Sequence, residues 1–140
     1  MVTGVTRSAR WTTLALGAWS LLIWSGRLRN LAVNDDLTLG RGALAVSFVV
    51  GGLVVAIAAL RRAAWLTPAV SALAAWTIVV WVIRGTAILL ADHEGGFKVV
   101  HTVLALVSIG LAALAIRSVA GPAPDRRRVP ASGSGSRPRP

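Results

Sequence analysis

The sequence predicts an all-α integral membrane four-helix bundle, built from two tandem, parallel helical-hairpin repeats with both termini cytoplasmic. Three observations carry that expectation. The 140 residues are 55% hydrophobic and only 14% charged, with a mean hydropathy of +0.69. A soluble domain of this size has too little interior to hide so much apolar surface. Next, the apolar residues gather into four blocks, roughly 11–26, 43–60, 65–83 and 99–116. Last, Trp19, Trp24, Arg27 and Asp35 recur 57 residues later as Trp76, Trp81, Arg84 and Asp92. Trp, Arg and Asp are scarce here, so their shared register points to one hairpin written twice.

Each block fits a span. Helices of 18 or 19 residues cover about 27–29 Å at 1.5 Å per residue, close to the hydrocarbon thickness of a bilayer. Lipid offers no partners for backbone N–H and C=O groups, which favours helices over open strands. Strand-like alternation is lacking, so a barrel is not expected. The first block follows Arg7 and Arg10 as a signal peptide would, but Ser25-Gly26-Arg27 is a poor cleavage site. It reads as a retained anchor. The organisation expected is a cytoplasmic segment at 1–10, a four-span domain at 11–120 and a disordered basic tail at 121–140. Within the domain, repeat one covers about 11–61 and repeat two about 65–118.

Charge sets the orientation. Ten basic residues, from Arg7 to the tail cluster Arg126–Arg128, fall on one side, and five fall on the other. The second side also holds Asp35, Asp36, Asp92 and Glu94, leaving net charges of +9 and +1. Basic loops stay in the cytoplasm, so the Asp-bearing loops face outward. Trp11 and Trp65 then lie at the cytoplasmic interface, and Trp24 and Trp81 near the outer one, as membrane anchors. The formal charge of +10 is explained by topology rather than by nucleic-acid binding. Membrane lipids are the expected surroundings, and the tail can contact anionic headgroups. One Lys against fourteen Arg fits a bacterial plasma-membrane protein from a GC-rich genome.

Small residues set the helix packing. Ser47-x3-Gly51 and Gly52-x3-Ala56 on span two, and Ser108-x3-Ala112 on span four, allow close approach. In the repeat register Gly51 overlays Ser108, which predicts contact between spans two and four.

The candidate functional residues lie at the outer ends. Arg27 and Arg84 interrupt apolar sequence that then resumes to Val33 and Ala91. An Arg in lipid costs about 2.5–3.5 kcal/mol unless it snorkels or finds a partner. Two arrangements stay open: snorkelling beside a Trp anchor, or an outer cluster of Arg27, Arg84, Asp35, Asp92 and His101. No metal or cofactor is expected. Asp92-His93-Glu94 is a contiguous run without zinc-ligand spacing, and there is no cysteine. A bis-His haem would need a second intramembrane His besides His101. Hydrolase, metalloprotease and nucleotide-binding motifs are all lacking, so enzyme is the weakest class.

Four short spans with both termini inside resemble the small multidrug transporters in outline. That family couples protons through a Glu embedded in its first span, whereas Trp11 to Gly26 contains no acid. Its transport chemistry therefore does not carry over. The expected function is a non-enzymatic accessory or stabilising partner of a larger membrane complex. The alternative is a homo-oligomeric carrier or channel with an outer Arg and His ring. The partner is another membrane protein in the first case and a second copy in the other.

Overall fold

The computed structural model describes residues 7–120, all four of whose regular elements are helices: α1 (Arg7–Val33), α2 (Leu39–Arg61), α3 (Leu66–Leu90) and α4 (Gly95–Val119). The tail at 121–140 and the first six residues lie outside the described part. The connections are short, so consecutive helices run antiparallel. Both the α1–α2 and α3–α4 loops fall at one end of the bundle, called here the loop end. Arg7, the α2–α3 loop and Val119 fall at the other, the terminal end.

Three helices, α2, α3 and α4, are long and apolar enough to cross a membrane. The first helix has the length, at 27 residues, but not the mean apolarity. Thr12, Thr13, Ser20, Ser25 and four arginines dilute it. Much of that polar content is spent inside the bundle. Thr13 donates its hydroxyl to Ala9 O (2.7 Å), Thr12 meets the Ser118 hydroxyl (2.7 Å), and Trp19 donates to Ser108.

The ends of the helices follow from local chemistry. Asp35 closes α1 in the left-handed region (φ 51°), and the Asp36 N–H returns to Leu31 O. Arg62 does the same for α2, with Ala63 N–H to Ala58 O. Both are Schellman-type stops in which a non-glycine residue accepts a strained backbone. Thr38 then caps α2 by accepting from the Arg41 N–H. Arg41 also forms an ion pair with Asp36, and Lys98 donates to Leu89 O (3.2 Å). Each return helix is thus tied to the end of the helix before it.

The helices form a closed ring of neighbours: α1 on α2, α2 on α3, α3 on α4, and α4 on α1. Contact is most extensive within each hairpin. Spans two and four, expected to touch, instead face one another across the diagonal. Their small residues are used against other helices. A methyl added at Gly52 would lie 2.9 Å from Gly17 O on α1, and one at Gly17 would lie 3.0 Å from Gly52 O. Gly51 faces Leu73 of α3, and Ser108 faces Trp19 of α1. The motif specifies that a helix can be approached closely, not by which neighbour.

The interior is filled by Leu16, Phe48, Val55, Val70, Ala74 and Ala112, all essentially inaccessible. Phe48 stacks on Trp24 with ring centroids 4.2 Å apart and planes 1° from parallel. The surface is lined by large apolar side chains such as Leu53, Ile83, Val103 and Leu106, as a lipid-facing exterior requires.

Candidate functional site

A cavity of about 450 Å³ opens at the loop end, between α1, α3 and α4. Its polar wall is made by Arg27, Asn30, Arg84 and His101, and its apolar wall includes Trp81 and Phe97. Both outgoing helices run past their arginines without a break, α1 to Val33 and α3 to Leu90. Arg27 and Arg84 are consequently held on rigid helix, half-buried, with one or two turns of helix above them.

The two guanidiniums share this space without a counter-charge. Among the described residues neither Arg27 nor Arg84 has a hydrogen bond or ion pair, and Arg27 and Arg41 both repel Arg84. The acids are elsewhere. Asp35 and Asp92 lie exposed in the two loops, and the carboxylate ion pair among the described residues is Asp36 with Arg41. Of the two arrangements left open by the sequence, the pairing of Arg27 and Arg84 with Asp35 and Asp92 does not form among the described residues. Asp35 lies in the left-handed stop that ends α1 and is not among the residues lining the cavity. Of the five residues grouped by sequence, Arg27, Arg84 and His101 come together, and the two acids stand apart.

His101 sits one turn above Leu104 on α4. Its Nδ1 lies 2.9 Å from Phe97 O, a carbonyl that can only accept, so this nitrogen donates. Phe97 lies between two imidazoles, 3.9 Å from His101 and 4.8 Å from His93 by ring centroids. Among the described residues no three ligating side chains converge.

The tryptophans fall into three pairs. Trp11 and Trp65 are on the surface near the terminal end. Trp24 and Trp81, also expected as anchors, are buried instead, each 7% exposed. Aromatic stacking explains Trp24, which closes the core against Phe48; Trp81 forms part of the cavity wall. Trp19 and Trp76 carry a role the sequence reading did not assign. Trp19 Nε1 donates to Ser108 Oγ (2.9 Å) and Trp76 Nε1 donates to Ser47 Oγ (3.1 Å). Each bond joins one hairpin to the return helix of the other.

No known protein family, curated protein or solved structure matches the chain.

Proposed function

We propose that this chain is a four-span plasma-membrane protein of bacterial type that serves as a non-enzymatic accessory or stabilising partner of a larger membrane complex. In this reading α1 is the fourth span, both termini are cytoplasmic, and the loop end faces outward. The two hairpins are then a parallel repeat. Support for the repeat comes from Trp19 and Trp76, 57 residues apart, each donating to a serine of the opposite hairpin. The acceptors Ser47 and Ser108 are 61 residues apart, a one-turn slip of the return helices from the register of the outgoing ones.

The observation that carries the function is the contrast between mid-depth and the loop end. Below the cavity the described core is mostly apolar, with the Trp24–Phe48 stack, Leu16, Ala74 and Ala112. Its buried polar side chains are the small Thr13, Ser20, Thr77 and Ser108, of which Thr13 and Thr77 bond back to their own helices and Ser108 is taken by Trp19. A transport pathway normally needs polar groups or broken helices near the midplane. At the loop end, by contrast, Arg27, Arg84, Asp35, Asp92 and His101 are all accessible to a partner.

The test is extraction of the tagged chain from its native membrane in mild detergent, followed by measurement of complex mass. A stoichiometric larger membrane protein is expected, and its association should weaken in the Arg84→Gln/Asp92→Asn double variant. Unchanged association in that variant counts against an outer docking cluster.

A second reading, the homo-oligomeric carrier, draws on the unpaired Arg27 and Arg84 around an accessible cavity. It requires a clean homo-oligomer with no companion. It also requires anion flux in proteoliposomes that falls when either arginine is replaced; flux equal to that of empty vesicles eliminates it.

A further inference from the structure

We infer that the loop-end cavity is a binding site for the phosphate-bearing headgroup of an anionic phospholipid, entered sideways from the bilayer between α1 and α4. The inference needs only that all four helices cross the membrane. It does not depend on whether the chain docks to a larger complex.

The first argument is electrostatic. Two guanidiniums face one cavity with no acid between them, and each leaves five N–H donors to be satisfied. Like charges this close repel, more strongly where the dielectric is low. Their Cβ atoms also tilt toward the helix N-terminus, which on α1 and α3 is the terminal end. Arg27 and Arg84 thus start out aimed into the bilayer, against the direction of snorkelling. A phosphodiester placed between them answers both problems, because it accepts from two arginine forks at once. Asn30 adds an amide donor on the same wall.

The second argument is the shape of the α1–α4 seam. It is pinned at the terminal end by Thr12 with Ser118 (2.7 Å) and at mid-depth by Trp19 with Ser108 (2.9 Å). Toward the loop end no third side-chain hydrogen bond joins α1 and α4 among the described residues, and the cavity, lined from both helices, lies at that level. Gly26 sits at this level with open space where its side chain would be, and Leu22 is 67% exposed. An opening in this place faces lipid tails. About 450 Å³ accommodates a phosphoglycerol headgroup but not a whole diacyl lipid. The acyl chains must leave through the gap, along Leu22 and Leu104, which are apolar.

The third argument is depth. Arg27 is eight residues beyond Trp19, about 12 Å along the helix axis. With Trp19 near the middle of α1, that places the guanidinium region close to the edge of a hydrocarbon core about 30 Å thick. Phosphates of the outer leaflet lie several Å above this level, in the headgroup zone, so a bound headgroup is drawn inward by a short distance to reach the guanidiniums.

The experiment is native mass spectrometry of the purified full chain in detergent, titrated with phosphatidylglycerol and phosphatidylcholine of equal chain length. One phosphatidylglycerol should be retained per chain, with phosphatidylcholine about tenfold weaker or worse. Arg27→Gln and Arg84→Gln should each weaken phosphatidylglycerol retention by about tenfold, while Arg29→Gln, outside the cavity, should not. Gly26→Leu keeps every charge and adds its Cβ where nothing lies within 4 Å; with a melting temperature close to wild type, it should block the lipid by closing the gap. Equal retention of the two lipids, or full retention by Arg27→Gln/Arg84→Gln, overturns the site. A second arm adds inorganic phosphate alone. If phosphate raises the melting temperature of wild type and of Gly26→Leu while phosphatidylglycerol does neither, the ligand is a free anion and the lipid assignment fails.

Discussion

Trp19 on α1 donates its indole N–H to the Ser108 hydroxyl on α4 at 2.9 Å, a bond that ties the first hairpin to the second at mid-depth. Ser108 is buried, so removing either partner strands the other away from water. Trp19→Phe and Ser108→Ala should each destabilise the bundle, and the double variant should cost less than their sum. The coupling expected is about 0.6–1.7 kcal/mol, the range for hydrogen bonds between membrane helices. A double-mutant cycle of unfolding in mixed micelles measures it. Trp76→Phe should cost less, because Ser47 keeps its hydrogen bond to Leu44 O when the indole N–H is lost.

The α1–α2 crossing makes a sharper steric prediction. At Gly52 an added methyl would lie 2.9 Å from Gly17 O and 3.1 Å from Ser20 Cβ. The first neighbour is backbone and cannot swing aside. Gly52→Ala and Gly17→Ala should therefore force the helices apart and cost about 1–3 kcal/mol each. Gly110→Ala meets nothing within 4 Å and should be neutral or mildly stabilising. Gly51→Ala falls between them, since its neighbour is the mobile end of Leu73. Thermal unfolding of the four variants in one detergent ranks them.

Phe48 backs Trp24, a lining residue of the loop-end cavity, through their stack, and its ring also lies 6.2 Å from that of Trp76. Phe48→Ala removes a fully buried ring and leaves Trp24 without its partner. A loss of about 3–5 kcal/mol is expected from the cavity left behind. Phe48→Leu, which retains most of the volume, should recover more than half of that loss. Unfolding measurements on the pair separate packing from aromatic stacking.

Much of this architecture is legible in the chain because lipid makes periodicity and charge do the same work. The four blocks become four helices, and the helix boundaries lie within a few residues of the apolar edges except where Arg27 and Arg84 are overrun. What the pattern does not encode is which neighbour a small residue meets. Gly52 and Gly17 are 35 positions apart, and nothing local distinguishes that pairing from one with α4. The same limit applies to charge. Opposite charges at one end of a bundle need not meet, since Asp36 is captured by Arg41 five residues away and Asp35 is fixed by a helix stop. Trp24 and Trp81 look like interface anchors from position alone; only the packing of Phe48 and the cavity reveals that they turn inward. Of the five residues that the sequence puts at one end, Arg27, Arg84 and His101 line one cavity, because they sit at matching depths on their helices.

Asp35 offers a way to separate folding from docking. Its φ of 51° lies in the region that favours glycine, so Asp35→Gly should stabilise the α1 stop by about 0.5–1 kcal/mol. A residue that serves only the turn would show that gain and nothing else. If Asp35 also belongs to an outer docking surface, the same variant should be more stable yet lose partner association on size-exclusion chromatography.

Arg84 should behave in the opposite sense to an ordinary structural residue. It is half-buried, repelled by Arg27 and Arg41, and lacks an acid to lose. Replacing it with Met keeps much of the side-chain length and leaves no group stranded. In a zwitterionic detergent Arg84→Met should therefore raise the melting temperature, by relieving part of the roughly 2.5–3.5 kcal/mol that an intramembrane Arg costs. Adding phosphatidylglycerol should stabilise the wild type and not the variant, shrinking the difference between them. A structural arginine would give the reverse pattern: a lower melting temperature in every lipid. A gain that disappears with anionic lipid would mark a residue kept for what it binds, at the expense of what it stabilises.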